Sequence, residues 1–341
     1  MRALNFPRDH GSHPDLRTEW WYITGHALAA GKPWGFQVTF FRSRVEGTAS
    51  LRSAFAAQQL LFAHAALTDV QGQKLHHDQR IARAGFAIAQ ASTTDTALRL
   101  QDWTLHRTPL ASPNGPASRY TTHVGGGAFS LDLQCDSTQS LLLQGQQGLS
   151  RKGPDTTQAS YYYSQPQLEV SGSITLNGQR MALEPARDRF TNRAWLDHEW
   201  SESLLHPEAV GWDWMGINLN EGGALTAFRL RRSDGSTLYA GGSVRRPGQA
   251  VQVFGPQEVV FTPLRLWTSP ASGARYPVAW GLHTPAGRFT LRALVDAQEL
   301  DSQASTGTLY WEGLSELSTE DGWGIGRGYL EMTGYARPLR L

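Results

Sequence analysis

Hydrophobic and polar residues alternate with a period of two along much of the chain, which is the pattern of half-buried β-strands. The segment Leu98 to Leu105 alternates at nearly every step, and Ala128 to Leu133 and Leu168 to Leu176 behave in the same way. Turn-forming pairs separate such segments, and Asn177-Gly178 and Asp234-Gly235 are the sharpest hairpin signals. Strands spaced about a dozen residues apart predict a β-sandwich or barrel.

One segment, Ser53 to Leu67, competes with this pattern as a serious helix candidate. Its alanine content favours a helix, but its second half, from Leu61 onward, is equally typical of a strand buried on both faces. We predict a strand from about residue 59, preceded by a short helical turn.

The chain has 341 residues, which is enough for two domains. No Pro/Ser-rich linker is present, and the best boundary is the polar stretch Glu184 to Arg189, which precedes a new aromatic block. We therefore predict an N-terminal domain over residues 1–187 and a C-terminal domain over residues 188–341. Both halves begin with a dense block of aromatic and charged residues, which weakly indicates two similar barrels.

Composition narrows the function classes. The charged fraction is only 18% and the net charge is +1, so nothing indicates a nucleic-acid partner. Cys135 is the single cysteine, which excludes an intramolecular disulfide and a cysteine-rich zinc site. No apolar run reaches about 18 residues, so no transmembrane segment is expected. The chain begins without an apolar signal sequence, which fits either a cytoplasmic protein or a trimmed exported one.

The chain contains 12 tryptophans, and half of them fall in two acid-bearing blocks that break the strand pattern. The first block is FPRDHGSHPDLRTEWWYITG, from Phe6 to Gly25, and the second is RAWLDHEWSESLLHPEAVGWDWMGIN, from Arg193 to Asn218. In a strand, Glu19 would share a face with Trp21, and the opposite face would carry their neighbours, Trp20 and Tyr22.

By the same rule Trp212 and Trp214 lie opposite Asp213. An acid desolvated on an aromatic face would have a raised pKa and would hold a proton near neutral pH, as a general acid must. The alternative, in which each acid is a solvated or structural residue, remains open. For Asp213 and Glu19 together with His198, the two interpretations are evenly balanced.

The residue patterns disfavour several other chemistries. No H-E-x-x-H occurs after His198-Glu199, so we predict no metal site and no cofactor. No G-x-S-x-G is present, which argues against a serine hydrolase. Gly125-Gly126-Gly127 lacks the lysine and following helix of a phosphate-binding loop.

The two blocks resemble those of the AttH / carotenoid 1,2-hydratase family, and the resemblance extends from Phe6 to about Tyr335. Members of this family have two consecutive lipocalin-like β-barrel or sandwich domains with little helix, and this all-β architecture is the expected fold. The family includes carotenoid hydratases, while fungal pericyclic cyclases look like distant relatives. Members often carry a signal peptide just before the equivalent of Ala3, which favours a periplasmic or secreted location over a cytoplasmic one.

The resemblance implies a site for a large apolar isoprenoid, polyene or lipid-like molecule, to which water is added or which is cyclised by acid catalysis. The hydratases suggest that His198, Trp200 and a downstream acid matching Asp213 are important. We assign Asp213 as the general acid, with His198 as its positioner or that of a water, and we include Glu19 among the catalytic candidates. The expected substrate-binding residues are the aromatic ones, Trp20, Trp21, Tyr22, Trp200, Trp212 and Trp214.

Three function classes follow from these observations. We favour an enzyme of the hydratase or cyclase type over a non-catalytic lipocalin-type carrier of a hydrophobic ligand. A hydrolase is the least favoured class, because neither a nucleophile nor a metal site is evident. Either favoured protein would bind a hydrophobic small molecule and would contact a membrane only transiently, to acquire it.

Overall fold

The computed structural model describes residues 2–48, 53, 56–111, 116–188, 190–202 and 205–339. Within these residues the chain is almost entirely β, with two short 3-10 helices at Arg8–His10 and Glu46–Thr48 and no α-helix. All strand pairings are antiparallel and form two sheets. The predicted all-β class is therefore confirmed, and the two sheets fit two lipocalin-like barrel domains.

The first sheet contains fourteen strands and forms a nearly closed barrel. In chain order they are β1 (Thr18–Ala29), β2 (Lys32–Arg44), β3 (Gln59–Asp69), β4 (Lys74–Arg83), β5 (Ala89–Ala91), β6 (Ala97–Leu100), β7 (Trp103–Leu110), β8 (Ala117–Gly125), β9 (Phe129–Asp136), β10 (Leu142–Leu143), β11 (Leu149–Arg151), β12 (Ala159–Leu176), β13 (Gln179–Ala182) and β14 (Arg193–Ser201).

The second sheet contains ten strands and forms roughly half of a barrel. These strands are β15 (Gly211–Leu219), β16 (Ala224–Arg231), β17 (Thr237–Arg245), β18 (Gln252–Phe254), β19 (Val260–Thr268), β20 (Arg275–Thr284), β21 (Gly287–Ala293), β22 (Glu299–Ser302), β23 (Thr308–Thr319) and β24 (Gly324–Thr333).

Strand β14 is a central strand of the first sheet, because it pairs with β1 on one side and with β12 on the other. The predicted boundary between residues 187 and 188 would place this strand in the second domain. In the structure the chain passes from one sheet to the other after Ser201 and before Gly211. The aromatic block starting at Arg193 is thus divided between the two sheets, and the division into domains stays a prediction.

Two predictions about local structure are confirmed. Strand β3 begins at Gln59, as expected for the ambiguous segment, whereas most of the helical turn predicted before it lies outside the described residues. Asn177 and Gly178 connect β12 to β13 with φ values of 50° and 80°. Two successive left-handed residues form the type I′ turn that tight hairpins favour.

Four clusters of buried hydrophobic side chains organise the molecule, and the smallest, formed by Ala66, Leu300 and Tyr310, joins strands of both sheets. One fills the first barrel and another fills the concave side of the second sheet. The third lies between the two sheets and includes Tyr22, Trp195, Trp214 and Tyr329. Strands at this contact are buried on both faces, which explains why every residue of β14 and β16 is buried. No helix in the described residues has the length and apolar character needed to cross a membrane.

Candidate active site between the barrels

The two-residue alternation of β1 places its aromatic residues on two different surfaces. Trp21 points into the core of the first barrel, whereas Trp20 and Tyr22 belong to the cluster between the sheets. Glu19 faces the barrel side with Trp21, where its carboxylate contacts polar groups of the N-terminal arm. The predicted division of faces in β1 is therefore confirmed.

Strand β14 shows the same alternation. Trp200 belongs to the core of the first barrel, and His198 stacks on Trp21 with a ring-centroid distance of 4.6 Å. Their neighbours Asp197 and Glu199 line a cavity between the two sheets. The D-H-E-W motif therefore supplies two residues to the barrel interior and two to the cavity.

The cavity between the sheets has a volume of about 510 Å³. This size falls within the range of small-molecule sites, roughly 300–1,000 Å³. Its walls are mainly aromatic and aliphatic, and include Trp20, Tyr22, Phe41, Phe62, Tyr162, Trp212, Trp214, Phe228, Leu230 and Tyr310. Both sheets contribute to this wall, so the site exists only where they meet.

Asp197 accepts three hydrogen bonds at one side of the cavity. The Tyr162 hydroxyl lies 2.6 Å from one carboxylate oxygen, and the Ser164 hydroxyl and Trp195 Nε1 lie 2.5 and 2.7 Å from the other. Burial raises the pKa of Asp197 to about 7, although these three donors act in the opposite direction. Asp197 is thus held in a fixed orientation and is partly protonated near neutral pH.

Glu199 lies two residues further along the same face of β14 and has a positive partner. Lys152 Nζ is 3.0 Å from Glu199 Oε1, and the Ser160 hydroxyl donates a hydrogen bond to the same oxygen. The Lys152 ammonium also lies over the rings of Tyr162 and Phe228, at 4.7 and 4.6 Å from their centroids. An ammonium and its carboxylate therefore form one polar boundary of the aromatic cavity.

Two further carboxyl groups come from the second sheet. Glu312 in β23 and Glu331 in β24 are directly opposite each other, and Glu331 is also opposite Trp214 in β15. Trp212 Nε1 donates to Glu331 Oε2 at 2.9 Å. Side chains at such opposed positions start about 5 Å apart, so the two carboxyl groups share one small region.

Burial raises the pKa of both glutamates. For Glu331 it does so to about 7, despite the hydrogen bond from Trp212, and the acids Asp197 and Glu199 add to the effect. For Glu312 burial and the charge of Glu331 raise the pKa well above its ordinary value, and the nearby Tyr22 hydroxyl only weakly opposes them. Within the described residues, Glu312 Oε1 has no hydrogen-bond partner. Burial therefore favours the protonated form of Glu312, whose Oε1 has no hydrogen-bond partner among the described residues.

The charge balance of the cavity reinforces this conclusion. Six acidic residues line it, and two of them, Glu19 and Glu46, have arginine partners at its border. Of the other four, Asp197, Glu199, Glu312 and Glu331, only Glu199 has an ion-pair partner among the described residues, which is Lys152. The three arginines at its border are paired with other acids: Arg17 with Glu46, Arg42 with Glu19 and Arg44 with Glu202. Because isolated buried charges are costly, the lack of an ion-pair partner shifts these carboxyl groups toward their protonated form.

A second polar cluster closes the mouth of the first barrel. Glu19 accepts hydrogen bonds from the Ser12 hydroxyl, the His13 backbone and Arg42 Nε at 2.8 to 2.9 Å. His13 Nδ1 and His198 Nε2 lie 2.7 and 2.9 Å from its other oxygen. Burial alone would raise the pKa of Glu19, but these two histidines hold it well below its ordinary range.

This cluster ties the N-terminal arm to the barrel. His13 lies flat on Trp200 at a centroid distance of 3.9 Å and also contacts Asp9, which forms an ion pair with Arg2. Ligand atoms of His13, Glu19 and His198 lie within 4.8 Å of one another, a spacing that could hold a metal ion. The fixed positive charge of Arg42 on Glu19 disfavours a cation there.

Asp213 occupies a different environment from the one predicted for a general acid. Its carboxylate contacts Arg229 Nε at 2.7 Å, Arg231 Nε at 3.2 Å and the Tyr335 hydroxyl at 2.8 Å. Arg229 in turn lies over Trp280, in the core of the second sheet. Because Trp212 and Trp214 face the cavity, alternation in β15 turns Asp213 away from it, and the geometry gives Asp213 a structural role.

The predicted site residues are thus distributed over three places. Trp20, Tyr22, Trp212 and Trp214 line the cavity, and Glu19 borders it although its carboxylate is engaged elsewhere. Trp21, His198 and Trp200 belong to the first barrel. The residues that the sequence analysis missed are the acids Asp197, Glu199, Glu312 and Glu331, with Lys152 and Tyr162. Asp197 and Glu199 could have been found from alternation within the D-H-E-W motif.

The fold and cavity define a class of protein with two antiparallel β-barrels and a buried, acid-bearing aromatic site between them. A family model described as AttH-like matches residues 1–335, and the chain belongs to that family. A crystal structure of a Nitrosomonas europaea protein assigned to AttH is 44% identical, covers 98% of both chains and has a TM-score of 0.86.

More distant solved structures share the fold. Kievitone hydratase from Nectria haematococca is 14% identical, with 98% of this chain and 94% of that chain covered and a TM-score of 0.71. CghA is 13% identical over 100% of this chain and 96% of that chain, with a TM-score of 0.55. At these identities the likeness concerns the fold alone. No curated protein matches the sequence.

Proposed function

We propose that this protein is an enzyme of the hydratase or cyclase type, which protonates an alkene of a large apolar molecule in the cavity between its barrels. The observation that carries the proposal is the convergence of four carboxyl groups, three of them buried and that of Glu331 partly exposed, on an aromatic cavity with one ammonium partner. Such a site can keep a carboxylic acid protonated at neutral pH and in contact with an apolar ligand.

Glu312 is the acid that fits this role best. It is buried, its pKa is raised, and Oε1 has no partner among the described residues. In the proposed step the alkene π electrons take the Glu312 proton, a C–H bond forms and a carbocation remains. This assignment replaces Asp213, whose carboxylate already has two arginine partners.

The aromatic walls suit the intermediate that this step produces. A cation over the face of Trp or Tyr gains about 0.5–2 kcal/mol, and Tyr22, Trp212 and Trp214 all line the cavity. Attack by water on the cation gives an alcohol, whereas attack by a second alkene of the same molecule gives a ring. Proton loss to the Glu312 carboxylate or to solvent completes either reaction without an oxidant or reductant.

The relatives guide the choice of probes. The resemblance to carotenoid 1,2-hydratases suggests carotenoids as a first probe, and the fold shared with kievitone hydratase adds kievitone as a second. Each probe is incubated with protein in water enriched in ¹⁸O, and products are analysed by mass spectrometry. Hydration adds one water carrying the heavy isotope, and cyclisation changes retention without changing mass.

The matched variants are Glu312→Gln and Glu320→Gln. Glu312→Gln keeps the shape of the side chain and removes the proton, so we expect turnover to fall at least 100-fold. Glu320 is exposed and pairs only loosely with Arg288, so its variant should retain wild-type turnover. Undiminished turnover in Glu312→Gln would reject this acid. Binding of every probe without turnover would instead indicate the carrier, the alternative that the apolar cavity also fits.

A further inference from the structure

A series of hydrogen-bonded polar side chains leads from the cavity wall toward the surface. It begins at Tyr310 in β23, whose hydroxyl lies 2.8 Å from His64 Nδ1 in β3. His64 Nε2 lies 2.8 Å from the Ser305 hydroxyl, which donates to Gln79 Oε1 at 2.6 Å. This series of hydrogen bonds therefore joins strands of the two barrels.

The hydrogen-bond acceptors along this series determine which atom donates the proton in each hydrogen bond. Gln79 Nε2 donates to the Asp301 carbonyl, so Gln79 Oε1 is the atom that faces Ser305. The other acceptor near Ser305 is the Ser302 carbonyl. The Ser305 hydroxyl has a single proton, and with either acceptor this proton points away from His64. His64 Nε2 must therefore carry a proton and donate it to the Ser305 oxygen.

This assignment leaves His64 Nδ1 as an acceptor, provided that the imidazole is neutral. His64 is buried between the sheets, and burial, followed by the charge of His77 on β4, lowers its pKa to about 3. A neutral imidazole with a proton on Nε2 has a lone pair on Nδ1, which must accept the Tyr310 proton. Gln37 Nε2 also donates to the Tyr310 hydroxyl oxygen, at 3.2 Å.

We propose that Tyr310, backed by His64 and Ser305, is the proton-accepting arm that activates water for the hydration proposed above. Tyr310 and Glu312 are two residues apart in β23, so they share a face, and their Cα atoms are about 6.6 Å apart. The acid and the base would therefore contact neighbouring atoms of one ligand. The inference rests on the proposed function and adds a second catalytic group to it.

The proton balance of this step is complete. As the water oxygen forms a C–O bond with the carbocation, one water O–H bond breaks and its proton passes to the Tyr310 oxygen. The Tyr310 proton moves to His64 Nδ1, and the His64 Nε2 proton moves to Ser305. Ser305 is partly exposed and exchanges its proton with solvent. After the product leaves, transfer in the reverse direction, from solvent through Ser305 and His64 to Tyr310, restores the proton on His64 Nε2 and releases one proton into the cavity. The Glu312 carboxylate takes this proton, so the sum is alkene plus water giving alcohol.

The first arm of the experiment does not require a substrate. Protein labelled with ¹⁵N-histidine is examined by two-dimensional NMR from pH 6 to 8.5. The ring resonances of His64 are identified by their absence from the spectrum of His64→Asn. We expect a neutral His64 with its proton on Nε2 throughout, and a shift of the Nδ1 resonance in Tyr310→Phe. A proton on Nδ1, or titration near pH 6.5, would overturn the relay.

The second arm measures turnover of a probe that the wild-type protein hydrates. His64→Asn keeps an acceptor near Tyr310 but cannot pass a proton on, so kcat should fall about 100-fold with KM unchanged. The kcat of Tyr310→Phe should fall by the same factor, and the kcat of the double variant should be no lower than that of either single variant. A merely structural role would raise KM or lower kcat additively.

The control is His123→Asn, because His123 is exposed on β8, does not line the cavity and pairs with Asp132. It should retain wild-type kcat and KM. Undiminished kcat in His64→Asn, with an active wild-type protein, would reject the relay and leave the proposed hydratase intact. A wild-type protein that hydrates no probe would reject the proposed function, and the relay as a catalytic arm with it.

Discussion

The carboxyl group of Glu331 permits a test of the buried-acid argument without a substrate. Burial raises its pKa from an ordinary 4.5 to about 7. Because the folded state then binds this proton more tightly than the unfolded chain does, the free energy of unfolding falls as the pH rises through this interval. Glu331→Gln removes the titration while keeping an oxygen that can accept the hydrogen bond from Trp212.

The size of the effect follows from the two pKa values. A shift from 4.5 to about 7 corresponds to about 3 kcal/mol at 1.36 kcal/mol per unit, reached above pH 7. At pH 5 less than about 1 kcal/mol is expressed, because the folded carboxyl group is still protonated. With an unfolding entropy of about 2.1 cal/mol/K per residue over 341 residues, the difference corresponds to about 3 °C in Tm.

The assay is thermal unfolding of the wild-type protein, Glu331→Gln and Glu320→Gln at pH 5 and pH 8.5. We expect the Tm of Glu331→Gln, relative to the wild-type protein, to rise by about 3 °C between these two pH values. Glu320→Gln should show no such change, since Glu320 is exposed. An equal Tm difference at both pH values, or a larger loss of stability at pH 8.5, would refute the buried-acid argument.

Three further predictions concern residues outside the cavity chemistry. Glu19→Gln leaves Arg42 buried without its charge partner and should lower the free energy of unfolding by about 3–5 kcal/mol in urea titrations; a loss below 1 kcal/mol would contradict this. Asp213→Asn should lower the free energy of unfolding by a similar amount but leave the affinity of the cavity unchanged for a probe that the wild-type protein binds. A selective loss of that affinity would restore Asp213 to the site. Burial raises the pKa of Cys135 to about 12, so a thiol reagent at pH 8 should label it only after unfolding, and rapid labelling of the native protein would contradict its burial.

The sequence pattern was sufficient for the fold class and for the orientation of individual strands. Alternation correctly separated Trp20 and Tyr22 from Glu19 and Trp21, and it correctly opposed Asp213 to its tryptophan neighbours. Two-residue periodicity indicates which residues share a face of a strand, but it does not indicate what covers that face. In this molecule both faces are covered, one by a barrel core and the other by the second sheet.

The acids of the site illustrate what such reasoning lacks. Glu312 and Glu331 lie in strands without unusual composition, about 110 to 130 residues after β14 in the chain. They reach the cavity because β23 pairs with β24 and β24 pairs with β15. Strand pairing at this sequence separation cannot be read from local periodicity. The assignment of Asp213 failed to fit for a simpler reason, since it combined residues from both faces of β15 into one pocket.

The position of the cavity links the proposed catalysis to the contact between the barrels. A carboxyl group on the outer face of either sheet would be hydrated and ionised in an isolated barrel, and it acquires a raised pKa only where the other sheet excludes water. Trp214 Nε1, from the second sheet, donates to the Tyr162 hydroxyl at 3.2 Å, and that hydroxyl donates to Asp197 of the first. Weakening the contact should therefore restore ordinary carboxylate pKa values before either barrel unfolds. On this argument the burial of several acids costs stability, and the two-sheet arrangement maintains the proton that an apolar substrate would need.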